Sequence, residues 1–396
     1  MRKSKLSVLL SLFFFQALLA QFSFDSILNQ SPFLKKISMQ KDNYHLQIIY
    51  TQIDYTNGQP EFKDYYFNTG NENYFYCASL VKLPLSILAY KKLNEIGVPA
   101  KSILFTDSSR LCHRTVKRDT SAAKGYPSIE HYVKKMFLIS DNEAFSRTYE
   151  FLGVDYIHQN LKNWGYPEIR IINRYDGNCA GADHLISNPL RFFDDKLNLL
   201  YSQAEQIGSL KFDTAIPNAL VGKAYYNTKN KKVNGPKDFS SMNYLPLSNC
   251  HKILRDLIYE PASNSGLKED QQAFLIQYLS ALPRQSMYPK YDTKVFYDSY
   301  KKYFIYGDSK KSIGDSSVII TNIVGQSYGF MSDCARIKDG KSGVEFMLSA
   351  VIYANEDEII NDGKYDYKTI ALPFLAELGR QFYNYELRRN LPKQKQ

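Results

Sequence analysis

The sequence predicts an α/β fold of the α+β type. One antiparallel sheet, formed by N- and C-terminal strands and flanked by terminal helices, accompanies an all-helical subdomain. Three observations carry this reading. Residues 44–67 are rich in β-branched and aromatic residues around a turn. From Ser79 to about Leu282 apolar residues recur mainly at helical spacing. Strand-like segments then return, and a long helical segment closes the chain. Strands at both chain ends meet in one sheet and leave the helical block beside it, with a cleft between the two.

Each element has its own signal. In MRKSKLSVLLSLFFFQALLAQ, Arg2, Lys3 and Lys5 precede an apolar run from Leu6 to Ala20. That is the pattern of a secretory signal peptide over residues 1–20, too short for a spanning helix. Leu18 fits the cleavage pattern imperfectly, so an uncleaved anchor is the alternative. SFDSILNQSPFLKKI reads as one helix starting near Asp25 or Ser26. YHLQIIYTQIDY and EFKDYYFN read as a hairpin around Asn57-Gly58.

LVKLPLSILAYKKLNEI, IEHYVKKMFLI, AFSRTYEFL, VDYIHQNLKNW, HKILRDLI and QAFLIQYL follow as helices. GKAYYNTKNKKVNGPKDFSS is an exposed excursion turned by Asn234-Gly235-Pro236. SSVIITNIV, QSYGFMSDCARI and VEFMLSAVIYAN are strands, the last two joined by KDGKSG. YDYKTIALPFLAELGRQFYNYELRR is the closing helix, with Pro373 as an early interruption. The α/β part therefore covers about 21–78 and 315–390, and the helical part about 79–314.

Composition narrows the function classes. The chain has 396 residues, 44% of them hydrophobic, which suffices for a large core. Its net charge of +10 is scattered rather than striped, and no nucleic-acid module is present. Cys77, Cys112, Cys179, Cys250 and Cys334 are odd in number and match no zinc spacing. One bridge is possible in an oxidising compartment, its pairing open; buried free thiols are the plainer expectation. The histidines form no metal-spaced pair. Gly340-Lys341-Ser342 lacks the upstream glycine of a phosphate loop, since position 335 is Ala335, and reads as a hairpin turn. No Gly-x-Ser-x-Gly elbow occurs.

Two short motifs could do chemistry. In YFYCASLVKLP, Ser79 and Lys82 lie three apart and share one face of a helix that starts near Cys77–Ser79. A serine at a helix N-terminus meets free N–H groups suited to an oxyanion. A lysine desolvated by Leu80 and Leu83 has a lowered pKa and can accept the serine proton. The spacing alone is weak: Ser38, Ser121, Ser265 and Ser299 also begin Ser-x-x-Lys. In FLISDNEAF, an apolar helix stops at Ser140-Asp141-Asn142. Helix capping is the bland reading. In the functional one Ser140 relays a proton, while Asn142 holds the lysine and a substrate amide.

Ser79-Leu80-Val81-Lys82 and Ser140-Asp141-Asn142, in that order and with their flanking helices, resemble the class A β-lactamase and penicillin-binding-protein group of serine hydrolases. The resemblance covers most of the chain beyond the signal peptide. It implies attack by Ser79, with Lys82 as base, Ser140 as proton relay and Asn142 in support. It also implies an oxyanion hole from the N–H groups of Ser79 and Gln326, and no metal or organic cofactor. The family's Lys-Thr-Gly element falls on Ile323-Val324-Gly325: Gly325 is kept, but the lysine and hydroxyl are lost. The next strand offers Met331 and Ser332 where many members carry a second cation, and Arg336 lies further along. Asp176 is the nearest carboxylate for the deacylation base; a turn-forming Asp-Gly is its bland alternative.

These readings point to an exported, periplasmic serine hydrolase acting on a β-lactam, or on a related small-molecule or peptidoglycan-derived amide. A monomer is expected, with no nucleic-acid partner and no integral membrane domain after signal removal. A cell-wall D-Ala peptidase or esterase with an altered carboxylate site is one alternative, and a catalytically idle envelope binding protein another. The tyrosine-rich stretch from Tyr288 to Asp308 is expected to shape or cover the cleft.

Overall fold

The structure is a computed structural model that describes residues 22–70, 73–175, 179–212, 215–314 and 316–390. The expected signal peptide and Asp176 lie outside the described residues. Five strands form the main sheet: β1 (Gln47–Thr56), β2 (Gln59–Phe67), β3 (Val318–Ser327), β4 (Phe330–Asp339) and β5 (Glu345–Tyr353). Their order is β3-β4-β5-β1-β2, and every neighbouring pair is antiparallel. Gln47 stands opposite Val351, so the two ends of the chain do meet in one sheet. Asn57 and Gly58 close the first hairpin at φ 53° and 79°, the left-handed values of a two-residue turn.

Both faces of the sheet are covered. Alternation along β1 sends Ile48 and Tyr50 to one face and Ile49 and Ile53 to the other. The first face packs on α1 (Pro32–Met39) and the closing helix, through Leu34, Ile37, Phe374, Leu375, Leu378 and Phe382. Each such side chain contributes about 1.5–3 kcal/mol on full burial, so the terminal helices are held mainly by apolar contact. The second face packs on the helical block: α2 (Lys82–Glu95), α3 (Ile129–Ile139), α4 (Asn142–Leu152), α5 (Val154–Asn163), α6 (Leu247–Tyr259) and α7 (Glu269–Ser280). With a cover on each side, β5 is buried at every position, which explains its nearly unbroken apolar sequence.

The local departures from the sequence reading have physical causes. The first helix is two, Asp25–Leu28 and Pro32–Met39. Ser31 caps the second by accepting from Phe33 N at 3.2 Å, and Pro32 occupies its first turn. A π-helical turn, Tyr367–Ala371, runs directly into α8 (Leu372–Asn390), so Pro373 marks the early interruption expected in the closing helical segment. Gln326 and Ser327 complete β3 instead of opening β4, because the turn falls on Tyr328-Gly329 at φ 53° and 86°. The helical block also carries a small sheet of Ile103–Thr106, Leu190–Phe193 and Leu199–Gln203. Ala224–Tyr226 and Lys232–Asn234 pair within the expected excursion. Cys112 and Cys179 form a disulfide, while Cys77, Cys250 and Cys334 are buried free thiols. Among the described residues no helix is long and apolar enough to cross a membrane.

Two contacts fix the site's frame. Gly325 lets β3 approach the turn before α2: a Cβ there would lie 2.7 Å from Cys77 O and from Ser332 Oγ. Glu150, on α4, sits between Arg147 at 2.9 Å and Arg174 at 3.0 Å, all three side chains buried. Arg174 Nη1 also donates to Asp183 O at 2.9 Å and His184 O at 3.1 Å, which ties the loop after residue 174 to the helical block.

Gly325→Ala is therefore expected to lose about 1–3 kcal/mol through overpacking against backbone, measured by denaturant unfolding. Glu150→Gln removes the charge of the carboxylate shared by two buried guanidinium groups and is expected to cost about 3–5 kcal/mol. A loss below about 1 kcal/mol would show that Glu150 does not anchor the loop.

Candidate active site

The residues Ala78–Val81 form one tight helical turn that runs directly into α2. Ala78 holds φ 45°, a left-handed value unusual for a residue with a side chain. Neighbours impose it: Tyr175 Oη donates to Ala78 O at 2.5 Å, and Leu80, Val81 and Leu83 are buried beneath. Ser79 thereby stays half-buried and open to a cleft, while Lys82, one turn on, has no exposure.

Helix α3 ends at Ser140, whose φ of 61° reverses the chain. Asp141 then caps α4 by accepting from Ala144 N at 2.7 Å. Capping and site geometry thus coexist in one tripeptide: the reversal brings Ser140 and Asn142 to the same side. Lys82 Nζ donates to Ser79 Oγ at 2.9 Å, Ser140 Oγ at 2.9 Å, Ser140 O at 2.6 Å and Asn142 Oδ1 at 2.8 Å. Ser140 Oγ donates to Ser79 Oγ at 2.6 Å. The four side chains named from the sequence converge.

Burial drives the Lys82 pKa well below the usual lysine range, and the nearby Lys301 charge lowers it further, while Asp141 opposes both. A neutral amine can take a proton from the hydroxyl beside it.

The site opens into a cleft of about 230 Å³. Ser79, Ser140, Asn142 and Gln326 line it, together with Tyr297, Tyr300, Lys301 and Tyr303 from the tyrosine-rich stretch. A larger depression of about 670 Å³ lies elsewhere, around Asp42, His45 and Asp238, and contains no such pairing of hydroxyls and amine.

The strand residues behave differently from the motif pair. Gln326 reaches the cleft. Gly325 serves the close approach of β3. Ile323 is buried in the core facing the helical block and Val324 in the core behind the sheet, so neither offers a polar group. Arg336 pairs with Glu345 at 2.7 Å, and neither it nor Met331 nor Ser332 lines the cleft. Among the described residues one trio has metal-ligand chemistry, Cys112, His113 and Cys179, but its two sulfurs are joined to each other. Lys301 and Tyr175 escaped the sequence reading. Neither belongs to a motif, and the three-dimensional placement of the loops that carry them leaves no periodic trace.

The family model described as the beta-lactamase enzyme family matches residues 33–385. No curated protein matches the chain. Among solved structures, the chain is similar to a class A beta-lactamase from Clostridium kluyveri, at 13% identity and TM-score 0.46, with 89% of this chain and 97% of that one covered. It is similar to a beta-lactamase from Sphaerobacter thermophilus at 10% identity and TM-score 0.45, covering 89% and 96%. It is also similar to the chromosome-encoded beta-lactamase of Vibrio parahaemolyticus, at 13% identity and TM-score 0.45, covering 89% and 97%. On the extent of the family match, the chain belongs to the beta-lactamase enzyme family.

Proposed function

We propose that the protein is an exported serine hydrolase that forms an acyl-enzyme on Ser79 and hydrolyses a β-lactam or a related amide. The observation that carries this is the contact of Ser79 Oγ with both Lys82 Nζ and Ser140 Oγ, at 2.9 and 2.6 Å. Lys82, its pKa lowered by burial, takes the proton in its neutral form as Ser79 Oγ bonds to the carbonyl carbon. Ser140 passes a proton to the departing nitrogen as the C–N bond breaks. Asn142 keeps Lys82 aimed, and the N–H groups of Ser79 and Gln326 receive the oxyanion. Water then releases the acyl group, with Asp176 as the proposed base.

The leader-like residues 1–20 and the Cys112–Cys179 disulfide favour an extracytoplasmic, periplasmic setting. A monomer acting on a small molecule or a peptidoglycan-derived substrate fits the narrow cleft. A second reading, a D-Ala peptidase or esterase with an altered carboxylate site, is favoured by one observation: Ile323 is buried where a strand lysine is expected.

Fluorescent penicillin and a fluorophosphonate separate these readings. Labelling by penicillin followed by turnover is the expected outcome. Fluorophosphonate labelling alone selects the peptidase or esterase, and silence with both sinks the hydrolase. Ser79→Ala should abolish labelling, and Lys82→Met should slow it by about 10²–10⁴-fold. The labelling rate should rise with pH as Lys82 loses its proton, since only the neutral amine is a base. Its midpoint should lie well below the ordinary lysine value of 10.5. A midpoint at or above that value contradicts a desolvated base.

A further inference from the structure

Lys301 is the one charged side chain among the described residues that line the cleft. It is only 8% exposed. Its ammonium makes no hydrogen bond or ion pair with a described residue. The neighbouring Lys302 is the opposite case: its Nζ donates to Leu279 O at 2.7 Å, Ile320 O at 2.8 Å and Asn322 Oδ1 at 2.7 Å.

The backbone around Lys301 is fixed to the sheet. Asn322 Nδ2, from β3, donates to Lys301 O at 2.7 Å and to Asp333 Oδ1 at 2.8 Å. Asp333 Oδ2 accepts from Tyr303 N at 3.1 Å and Phe304 N at 3.2 Å. The carboxylate that attracts Lys301 is therefore occupied by other donors. With Lys302 turned inward, Lys301 is left at the cleft, beside Ser79 and Ser140. A nearly buried cation without an acceptor is unfavourable until an anion reaches it. Burial accordingly draws its pKa down to about 7, Asp333 opposing and Lys302 assisting. An arriving anion restores the charge.

We propose that Lys301 binds the carboxylate of the substrate that Ser79 attacks. The cation at this subsite comes from the segment preceding β3, not from the strand itself, where Ile323 is apolar and buried. This rests on the hydrolase reading for the identity of the attacked group, but the anion subsite can be measured without any chemistry.

The test uses Ser79→Ala protein, benzylpenicillin and the methyl ester of benzylpenicillin, with binding read by titration calorimetry. The carboxylate is expected to bind about 10- to 100-fold more tightly than the ester. Adding Lys301→Met should reduce that preference to within about threefold, and Lys301→Arg should keep part of it. Ester affinity unchanged by Lys301→Met, together with an unchanged melting temperature, shows an intact fold. A preference that survives Lys301→Met, or no preference in the parent, overturns the assignment, and so does failure of the carboxylate to bind. Wild-type protein that no acylating probe labels would instead defeat the hydrolase reading while this binding contrast still reports on Lys301.

Discussion

The site depends on one desolvated amine. Lys82 is sealed between α2 and the start of α4, and its four acceptor atoms come from two pieces of chain, Ser79 and the Ser140–Asn142 tripeptide. A buried ammonium is costly unless its hydrogens are all taken, and burial shifts the balance toward the neutral amine. The same acceptors that make burial tolerable are the groups to which the proposed chemistry is assigned. The helix starting at Lys82, the reversal at Ser140 and the first residue of α4 are therefore bound by a common constraint. Displacing any of them strands a polar group in the core.

Two strained residues lie beside this amine. Ala78, next to Ser79, and Ser140 both hold left-handed backbone angles without being glycine. Such conformations cost on the order of 1–3 kcal/mol each and persist only where the surroundings determine them. Here the surroundings are Tyr175, the packed face of α2 and the close passage of β3 over Gly325. The sheet is thus a working part of the site, because its edge strand presses the turn into place.

Much of this was legible in the sequence, and the reasons are local. Ser79 and Lys82 are one helical turn apart, so their proximity follows from helix geometry alone. Ser140 and Asn142 follow from an apolar helix that stops abruptly. The hairpin at Asn57-Gly58 and the terminal strands announce themselves by period and turn chemistry. Lys301 carried no such signal, because its exposure to the cleft is set by Asn322 and Asp333 on strands further along the chain. The end of β3 was misjudged for a related reason: Tyr328-Gly329 turns tightly without the usual Asn-Gly marking. That Ile323 is apolar where the resemblance implies a strand lysine is visible in the sequence, but that Lys301 lines the cleft follows only from tertiary contacts.

The pairing of Gln47 with Val351 has a consequence for biosynthesis. An early strand must wait for almost the entire polypeptide before its inner edge is satisfied, and contacts this distant form slowly. The turn that carries Ser79 also needs β3 pressed against it. A ribosome-bound or prematurely ended chain thus holds Ser79 in an unfinished pocket, and the proposed acylation requires the final segments.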